Sequence, residues 1–131
     1  MEEDKLILKP EFKNIYYVER LINRSLNIPD EKRNMALIIA TEMFDNIVEH
    51  SNGPSDSFII ITISHRQRTK IVFSYETTNF QDLIEGVRRS RPHYDPKAGR
   101  YRGMGLRMTR YLSSHVVYQE NEPMSAIIVY L

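Results

Sequence analysis

A polar segment, TEMFDNIVEHS at residues 41–51, directly follows the apolar run MALIIA and concentrates side chains able to do chemistry. At 3.6 residues per helical turn, one stripe is formed by Ala36, Ala40, Met43 and Ile47, and its neighbour by Met35, Ile39, Glu42, Asn46 and His50. Glu42 and Asn46 therefore lie one turn apart at the margin of a predicted core. Burying a carboxylate there costs several kcal/mol unless it is paired, hydrogen-bonded or facing a polar cavity.

Two interpretations of this pair stay open. An internal hydrogen bond is one: Glu42 and Asn46 can bridge each other, cap a loop, or bind Arg102 or Arg107. A cleft floor is the other, because an amide oxygen suits a hard cation and a buried carboxylate can act as a base.

A second segment, YRGMGLRMTRYL, places two glycines at the start of a predicted third helix. Gly103 and Gly105 lack Cβ atoms, so backbone can approach a ligand closely, and free N–H groups at a helix N-terminus favour anions. Glycines that merely pack a loop against a helix would give the same pattern.

The periodicity around these segments predicts an α+β fold in a single domain, residues 1–131. Helices are predicted over 11–26 and 31–49, the second with Asp30 as N-cap, and a weakly helical stretch over 79–90. Strands are predicted in KLILKP and in two hairpins, SFIIITISH with KIVFSYE and HVVYQENEPMSAIIVYL, whereas RPHYDPKAGRYR resembles a loop. We expect a two-layer sandwich with an antiparallel-dominated mixed sheet and helices on one face.

Composition excludes several classes of site. With no cysteine among 131 residues, disulfides, thiol nucleophiles and Cys-ligated zinc are absent, and the four histidines lie in four different elements without ligand spacing. The acidic N-terminus and the lack of a long apolar run predict a cytoplasmic protein without a membrane partner.

One basic segment interrupts an otherwise balanced chain. Between residues 88 and 110 there are eight Lys or Arg residues against one acid, while the whole chain has net charge +1. This segment is consistent with a solvated loop or with a lid over phosphates; a nucleic-acid surface is disfavoured, because the excess charge is confined to one region.

The two polar segments together resemble a known family. LIIATEMFDNIVEHS is similar to the N-box helix, and GRYRGMGLRMTRYLSSHVVYQ to the G2 box and following helix, of the GHKL ATPase superfamily, especially its stand-alone anti-sigma-factor serine kinases. The resemblance implies a Bergerat-type fold that binds ATP and Mg²⁺. Asn46 would hold the metal and Glu42 would be the catalytic base, and nucleotide would be lined by Asp45, His50, Arg102, Gly103, Met104, Gly105 and Leu106.

The chain departs from that family where the G1 box, D-x-G-x-G, should read the adenine. The corresponding stretch is SYETTNF, which puts Tyr75 in the position of the Asp and Thr77 and Asn79 in those of the glycines. A one-residue shift would offer Glu76 instead, but strand alternation predicts Ile71, Phe73 and Tyr75 on one face and Glu76 on the other.

Two functions follow from the resemblance. The first is an ATP- and Mg²⁺-dependent serine/threonine kinase-like anti-sigma factor in bacterial partner switching, acting on a small regulatory protein. The second is a nucleotide-independent module that sequesters a sigma factor or an antagonist, using exposed Tyr16 and Tyr17. A homodimer is also implied, and the terminal strands KLILK and AIIVYL are apolar enough to pair further if they lie at edges.

Overall fold

The computed structural model describes residues 2–50, 57–76, 85, 93–96, 100–102, 115–121 and 124–131. The helices are α1 (Ile15–Arg24) and α2 (Arg33–His50), each preceded by a 3-10 turn, Phe12–Asn14 and Asp30–Lys32 respectively. The strands are β1 (Asp4–Leu8), β2 (Ile59–His65), β3 (Thr69–Glu76), β4 (His93–Asp95), β5 (Arg100–Arg102), β6 (His115–Asn121) and β7 (Met124–Tyr130). The predicted α+β class is confirmed.

The main sheet has five strands in the order β1-β2-β3-β7-β6. Each of its four pairings is antiparallel, so within the described residues the sheet is purely antiparallel rather than mixed. Both predicted hairpins are present, β2 with β3 and β6 with β7. The first terminal strand, β1, lies at an edge, whereas β7 is paired on both sides and has no free edge for further pairing.

Alternation along the strands separates a core face from an outer face. On β3 the buried positions are Thr69, Ile71, Phe73 and Tyr75, and Glu76 lies on the opposite face, as the sequence predicts. Because the strands are in register, the inward residues of β2 and β7 continue the same apolar surface: Ile59, Ile61, Ile63, Ile127 and Val129.

Both helices cover this core face. From α1, Val18 and Ile22 are buried, and the predicted α2 stripe is buried in full: Ala36, Ala40, Met43 and Ile47. The first half of α2 is not buried all round, however, since Ile38 is 41% exposed. No helix in the described residues is long and apolar enough to cross a membrane.

The link between the helices is fixed by Arg33 rather than by an N-cap. The predicted cap, Asp30, lies inside the 3-10 turn, whose N-cap is Pro29, and its carboxylate accepts from Arg33 at 2.9 Å. The Arg33 guanidinium also donates to the carbonyl oxygens of Ile22 (2.8 Å), Ser25 (3.0 Å) and Ile28 (2.9 Å). It thereby satisfies carbonyl groups that the end of α1 leaves without intrahelical donors.

The same link is tied to the sheet by Asn27, which is buried. Its Nδ2 donates to the carbonyl of Glu2 (2.9 Å), to Asp4 Oδ2 (3.1 Å) and to the carbonyl of Ile63 (3.2 Å). Its own carbonyl accepts from Thr69 Oγ1 at 3.1 Å. One side chain thus joins the helix connection to β1, β2 and β3.

The basic segment differs from its prediction where it is described. Residues 91–102 were predicted as a loop, but β4 and β5 form a two-stranded antiparallel hairpin in which His93 pairs with Arg102. Pro96 follows β4 directly and lies in a turn, where the missing N–H is tolerated. The predicted third helix at residues 104–114 lies outside the described residues, and of the weakly helical stretch only Glu85, in helical backbone, is described.

Candidate functional site

The C-terminal half of α2 brings polar side chains into the core layer. Asp45 is 2% exposed and Asn46 is 4% exposed, whereas Glu42 is half-buried and Glu49 is exposed. Both carboxylate oxygens of Asp45 are shielded from solvent. The arrangement matches the expectation that polar groups enter a mostly apolar helix face at this point, and it places Asp45 deeper than the sequence pattern predicted.

The Asn46 amide has unused hydrogen-bonding capacity. Among the described residues its Nδ2 has no acceptor, although it is buried. A buried amide N–H without an acceptor costs about 1–3 kcal/mol, so a bound acceptor such as a phosphate oxygen would recover that energy. The Asn46 side chain also has a carbonyl oxygen. Amide oxygens and carboxylate oxygens, such as those of Glu42, are the ligands that Mg²⁺ prefers.

On the sheet that faces α2, Tyr75 occupies an inward position near the end of β3. It is 2% exposed and belongs to the same apolar cluster as Met43, Phe44 and Ile47 of α2. The pKa of the Tyr75 phenol is raised above its ordinary value, mainly because the phenol is buried and to a smaller extent because Tyr118 is near. Glu76 faces the other side of the sheet and cannot replace an inward carboxylate.

Two residues that the sequence analysis missed adjoin Tyr75. Ser125 lies directly opposite Tyr75 in the β3–β7 ladder and is 1% exposed, and its hydroxyl has no partner among the described residues. Tyr118 is on β6, opposite Ile127 on the same face. A serine at an inward position of an otherwise aliphatic strand, SAIIVYL, was the available signal.

The other predicted site residues are only partly described. His50 ends α2, and Arg102 ends β5 directly before the glycine segment, but only their backbones are described. Gly103, Met104, Gly105 and Leu106 lie outside the described residues, as does Arg107. Across the described ranges, no three His, Asp or Glu side chains are grouped in a way that would hold a metal ion without further ligands.

Comparison with known proteins leaves the family open. Neither the scan against protein-family models nor the search of curated proteins found a match for this chain. The functional inference therefore depends on the geometry of the residues themselves.

Two clefts lie away from this site. A groove of ≈ 310 Å³ between β1 and α1 is lined by Leu6, Tyr17, Arg20, Leu21 and Arg24, together with Asp4 and Ser25. A wider cleft of ≈ 770 Å³ opens at the β2–β3 turn, with Arg66, Arg68 and Lys70 on its lining.

Proposed function

We propose that this chain is a GHKL-type regulatory protein that binds ATP with Mg²⁺ and transfers phosphate to a serine or threonine of a small partner protein, as an anti-sigma factor does. The observation that carries the proposal is the buried amide of Asn46. It lies beside buried Asp45 on a core helix, with a donor that lacks an acceptor among the described residues.

The order of elements supports the proposal. The chain runs as a strand, two helices and a hairpin, and it ends in a second hairpin that joins the first to form one sheet. Both described helices cover a single face, which is the layering that the GHKL resemblance implies. The resemblance also assigns phosphate binding to the segment that follows β5, from Gly103 to Leu106.

In this proposal each residue has one task. Asn46 would hold Mg²⁺ through its amide oxygen, and the metal would supply charge neutralisation for the nucleotide phosphates. Glu42 accepts the proton of the serine hydroxyl while the hydroxyl oxygen bonds to the γ-phosphorus and the bond to the leaving ADP breaks. The amides from Gly103 to Leu106, with Arg102, bind the phosphate oxygens.

The adenine side of the site is altered. Where the family places a carboxylate that reads the adenine amino group, this chain places the buried phenol of Tyr75. A site that lacks the specific partner of a ligand group loses most of its discrimination for that group. Phosphates and metal are then the main determinants of binding.

Titration calorimetry with ATP in the presence and absence of Mg²⁺ tests the proposal. We expect saturable, Mg²⁺-dependent heat that Asn46→Ala weakens by at least about tenfold, since a metal ligand is lost. The matched control is Asn34→Ala, because Asn34 is exposed on the same helix. Absence of heat up to millimolar nucleotide, or equal effects of the two substitutions, would refute nucleotide binding.

Glu42→Gln separates chemistry from binding. The substitution keeps the shape of the side chain but removes its basicity, so ATP affinity should stay within about threefold while ADP release falls by at least about 100-fold. Equal ADP release by Glu42→Gln and the parent chain would remove the kinase part of the proposal and leave a nucleotide-binding regulator.

A second candidate function, a nucleotide-independent binding module, is supported by α1. Tyr16 is 59% exposed and Tyr17 is 48% exposed, with their rings edge to face at 5.7 Å, and Leu26 beyond the helix is 84% exposed. Exposed aromatics beside a groove are typical of protein-binding surfaces. Partner association that is unchanged by nucleotide and by Glu42→Gln, but lost with Tyr17→Ala, would favour this candidate.

A further inference from the structure

The outer face of the main sheet is the side opposite the two helices. Strands β2, β3, β7 and β6 present outward residues that alternate with the core positions, and the following ones are half-buried: Ile60, Thr62, Val72, Ser74, Val117, Ala126 and Ile128. The described helices pack their apolar side chains on the core face.

Apolar residues lie along two rows of this outer face, and each row is interrupted, because Thr62 lies opposite Val72 and Ser74 lies opposite Ile60. Val72 on β3 lies opposite Ile128 on β7, which in turn lies opposite Val117 on β6. In the adjacent row, Ile60 on β2 lies opposite Ile7 of the edge strand, and Ile7 is 53% exposed. Apolar side chains grouped on an open sheet face are typical of protein-binding surfaces.

One end of the face carries a concentration of positive charge. Arg66 and Arg68 are exposed in the β2–β3 turn, and Lys70 follows at the first outward position of β3. We call these three residues the cationic rim. No carboxylate in the described part of the chain forms an ion pair with Arg66 or Lys70.

The cationic rim borders a preformed cleft. It lines the ≈ 770 Å³ cleft together with Tyr130, Ser64 and His65. The Arg68 guanidinium lies 5.1 Å from the centre of the Tyr130 ring, and His115 stacks on the same ring at 6.0 Å. Contact with the ring restrains Arg68, so less side-chain entropy is lost when a ligand binds.

Two acidic residues of the chain lie on the lining of the same cleft. Glu2 and Glu3, from the acidic N-terminal segment, lie on its lining beside the rim. Both glutamates are exposed, so they can be displaced. An acidic segment of another protein would meet the same cations.

The dimensions of the face fit a single segment. Five strands, about 4.8 Å apart and about seven residues long, give a surface of about 24 by 23 Å. A helix of about 15 residues spans that length. If a partner covered this face completely, the two contacting surfaces would together bury roughly 1,100 Å², which is at the low end of the range for specific interfaces.

We propose that the outer face binds an acidic amphipathic segment of another protein, with apolar side chains on the centre and carboxylates on the cationic rim. A second copy of this chain is disfavoured, because the outward charges of the described strands and turn are mainly positive: Lys5, Arg66, Arg68 and Lys70 against Glu76, with Glu2 and Glu3 beside them at the cleft. An anionic membrane is the alternative that the vesicle experiment below tests.

This inference does not rest on the proposed nucleotide site. Asn46, Glu42 and Tyr75 lie in the core layer, on the other side of the sheet from the proposed interface. Substitutions on the outer face should therefore leave ATP binding unchanged, so failure of one proposal is distinguishable from failure of the other.

The test uses the full chain and a designed helical peptide of about 16 residues, with leucine along one face and glutamate elsewhere. Two matched peptides carry lysine in place of glutamate, or serine in place of leucine. Fluorescence anisotropy should show saturable binding of the acidic amphipathic peptide alone, weakening about tenfold as salt rises from 0.05 to 0.3 M. Equal binding of all three peptides, or none of any, would overturn the proposal.

Variants then locate the interface. Arg66→Glu and Lys70→Glu should each weaken binding about 5- to 10-fold, whereas Lys13→Glu, the same charge change at an exposed site on the helix side, should change it less than twofold. Equal losses for all three would indicate unspecific electrostatic attraction and overturn the assignment. The double change of Glu2→Gln with Glu3→Gln should strengthen binding, because two competing carboxylates are removed.

The apolar centre is tested with Val72→Asp and, because that change can unfold the chain, with Ile7→Ser at the exposed edge. Each should weaken peptide binding at least about threefold without changing the oligomeric state. Sedimentation that shows a dimer abolished by Ile7→Ser would assign the face to a second copy instead. Binding to anionic phospholipid vesicles but not to the acidic peptide would assign it to a membrane.

Discussion

Tyr75 and Ser125 lie directly opposite each other on adjacent strands, with both side chains buried on the core face of the sheet. The small Ser125 and the large Tyr75 fill this end of the core together. The Ser125 hydroxyl has no hydrogen-bond partner among the described residues. In the proposed nucleotide site this pair lies where a base would be read. Substitutions of these two residues therefore test both the stability of the fold and the proposed nucleotide binding.

The first prediction concerns the hydroxyl of Ser125. Ser125→Ala removes a buried polar group without a partner and should be neutral or stabilise the fold by about 1 kcal/mol. If a ligand uses the hydroxyl, the same substitution weakens ATP binding, so stability and affinity change in opposite directions. Urea unfolding and calorimetry measure the two. Destabilisation by more than about 1 kcal/mol would show that the hydroxyl is satisfied in the free protein.

The second prediction is the pH dependence given by Tyr75. Because burial raises the pKa of its phenol, the folded protein holds this proton more tightly than the unfolded chain, whose tyrosines titrate near pH 10. The contribution of Tyr75 to stability is complete below pH 10 and is lost as pH rises through the folded-state pKa. Urea midpoints between pH 8 and 11 should fall with a slope that Tyr75→Phe reduces and Tyr16→Phe, at an exposed tyrosine, does not.

The third prediction addresses the buried donor at the helix connection. Asn27→Asp replaces an NH₂ group that donates to two carbonyls and to Asp4 with a carboxylate, at a cost of about 3 kcal/mol at pH 7. The neighbouring acceptors raise the pKa of the new carboxyl above its unfolded value, so the destabilisation is complete above the folded-state pKa and decreases as pH falls below it. Urea unfolding at pH 7 and 4.5 measures the recovery. Asn23→Asp, at an exposed position, is the control and should show none.

The fourth prediction concerns the fork of Arg33. Arg33→Lys keeps the charge but cannot reach the same set of carbonyl oxygens, so we expect a loss of about 2 kcal/mol in the free energy of unfolding. Asp30→Asn should cost less than about 0.5 kcal/mol, because the Asp30 side chain is 95% exposed. Similar costs for the two substitutions would mean that the ion pair, not the carbonyl contacts, stabilises the connection.

The fifth prediction is weak selection among nucleotide bases. With a phenol in place of the adenine-reading carboxylate, ATP and GTP should bind within about fivefold of each other. Inorganic triphosphate with Mg²⁺ should bind within about tenfold of ATP. Competition calorimetry gives the ratios directly, and a preference for ATP above about 50-fold would show that another group reads the base.

Local periodicity was sufficient for much of the fold. The alternation in KIVFSYE places Tyr75 inward and Glu76 outward, and the α2 stripe from Ala36 to Ile47 is buried, because both follow from backbone repeats within one element. Turn-forming residues between β-branched runs were enough to locate both hairpins. The β4–β5 hairpin was missed, since its flanking prolines suggested a loop when they only mark the ends of a strand.

Local sequence patterns therefore specify the type of most elements and which of their side chains face inward. Which distant residues meet depends on the assembled fold: Tyr75 with Ser125, Arg33 with the end of α1, and Asn27 with three strands. The assembled fold also decides that β7 lies inside the sheet and that an apolar outer face ends in a cationic rim. These relationships depend on strand order and on contacts between residues far apart in the chain, which no local repeat encodes.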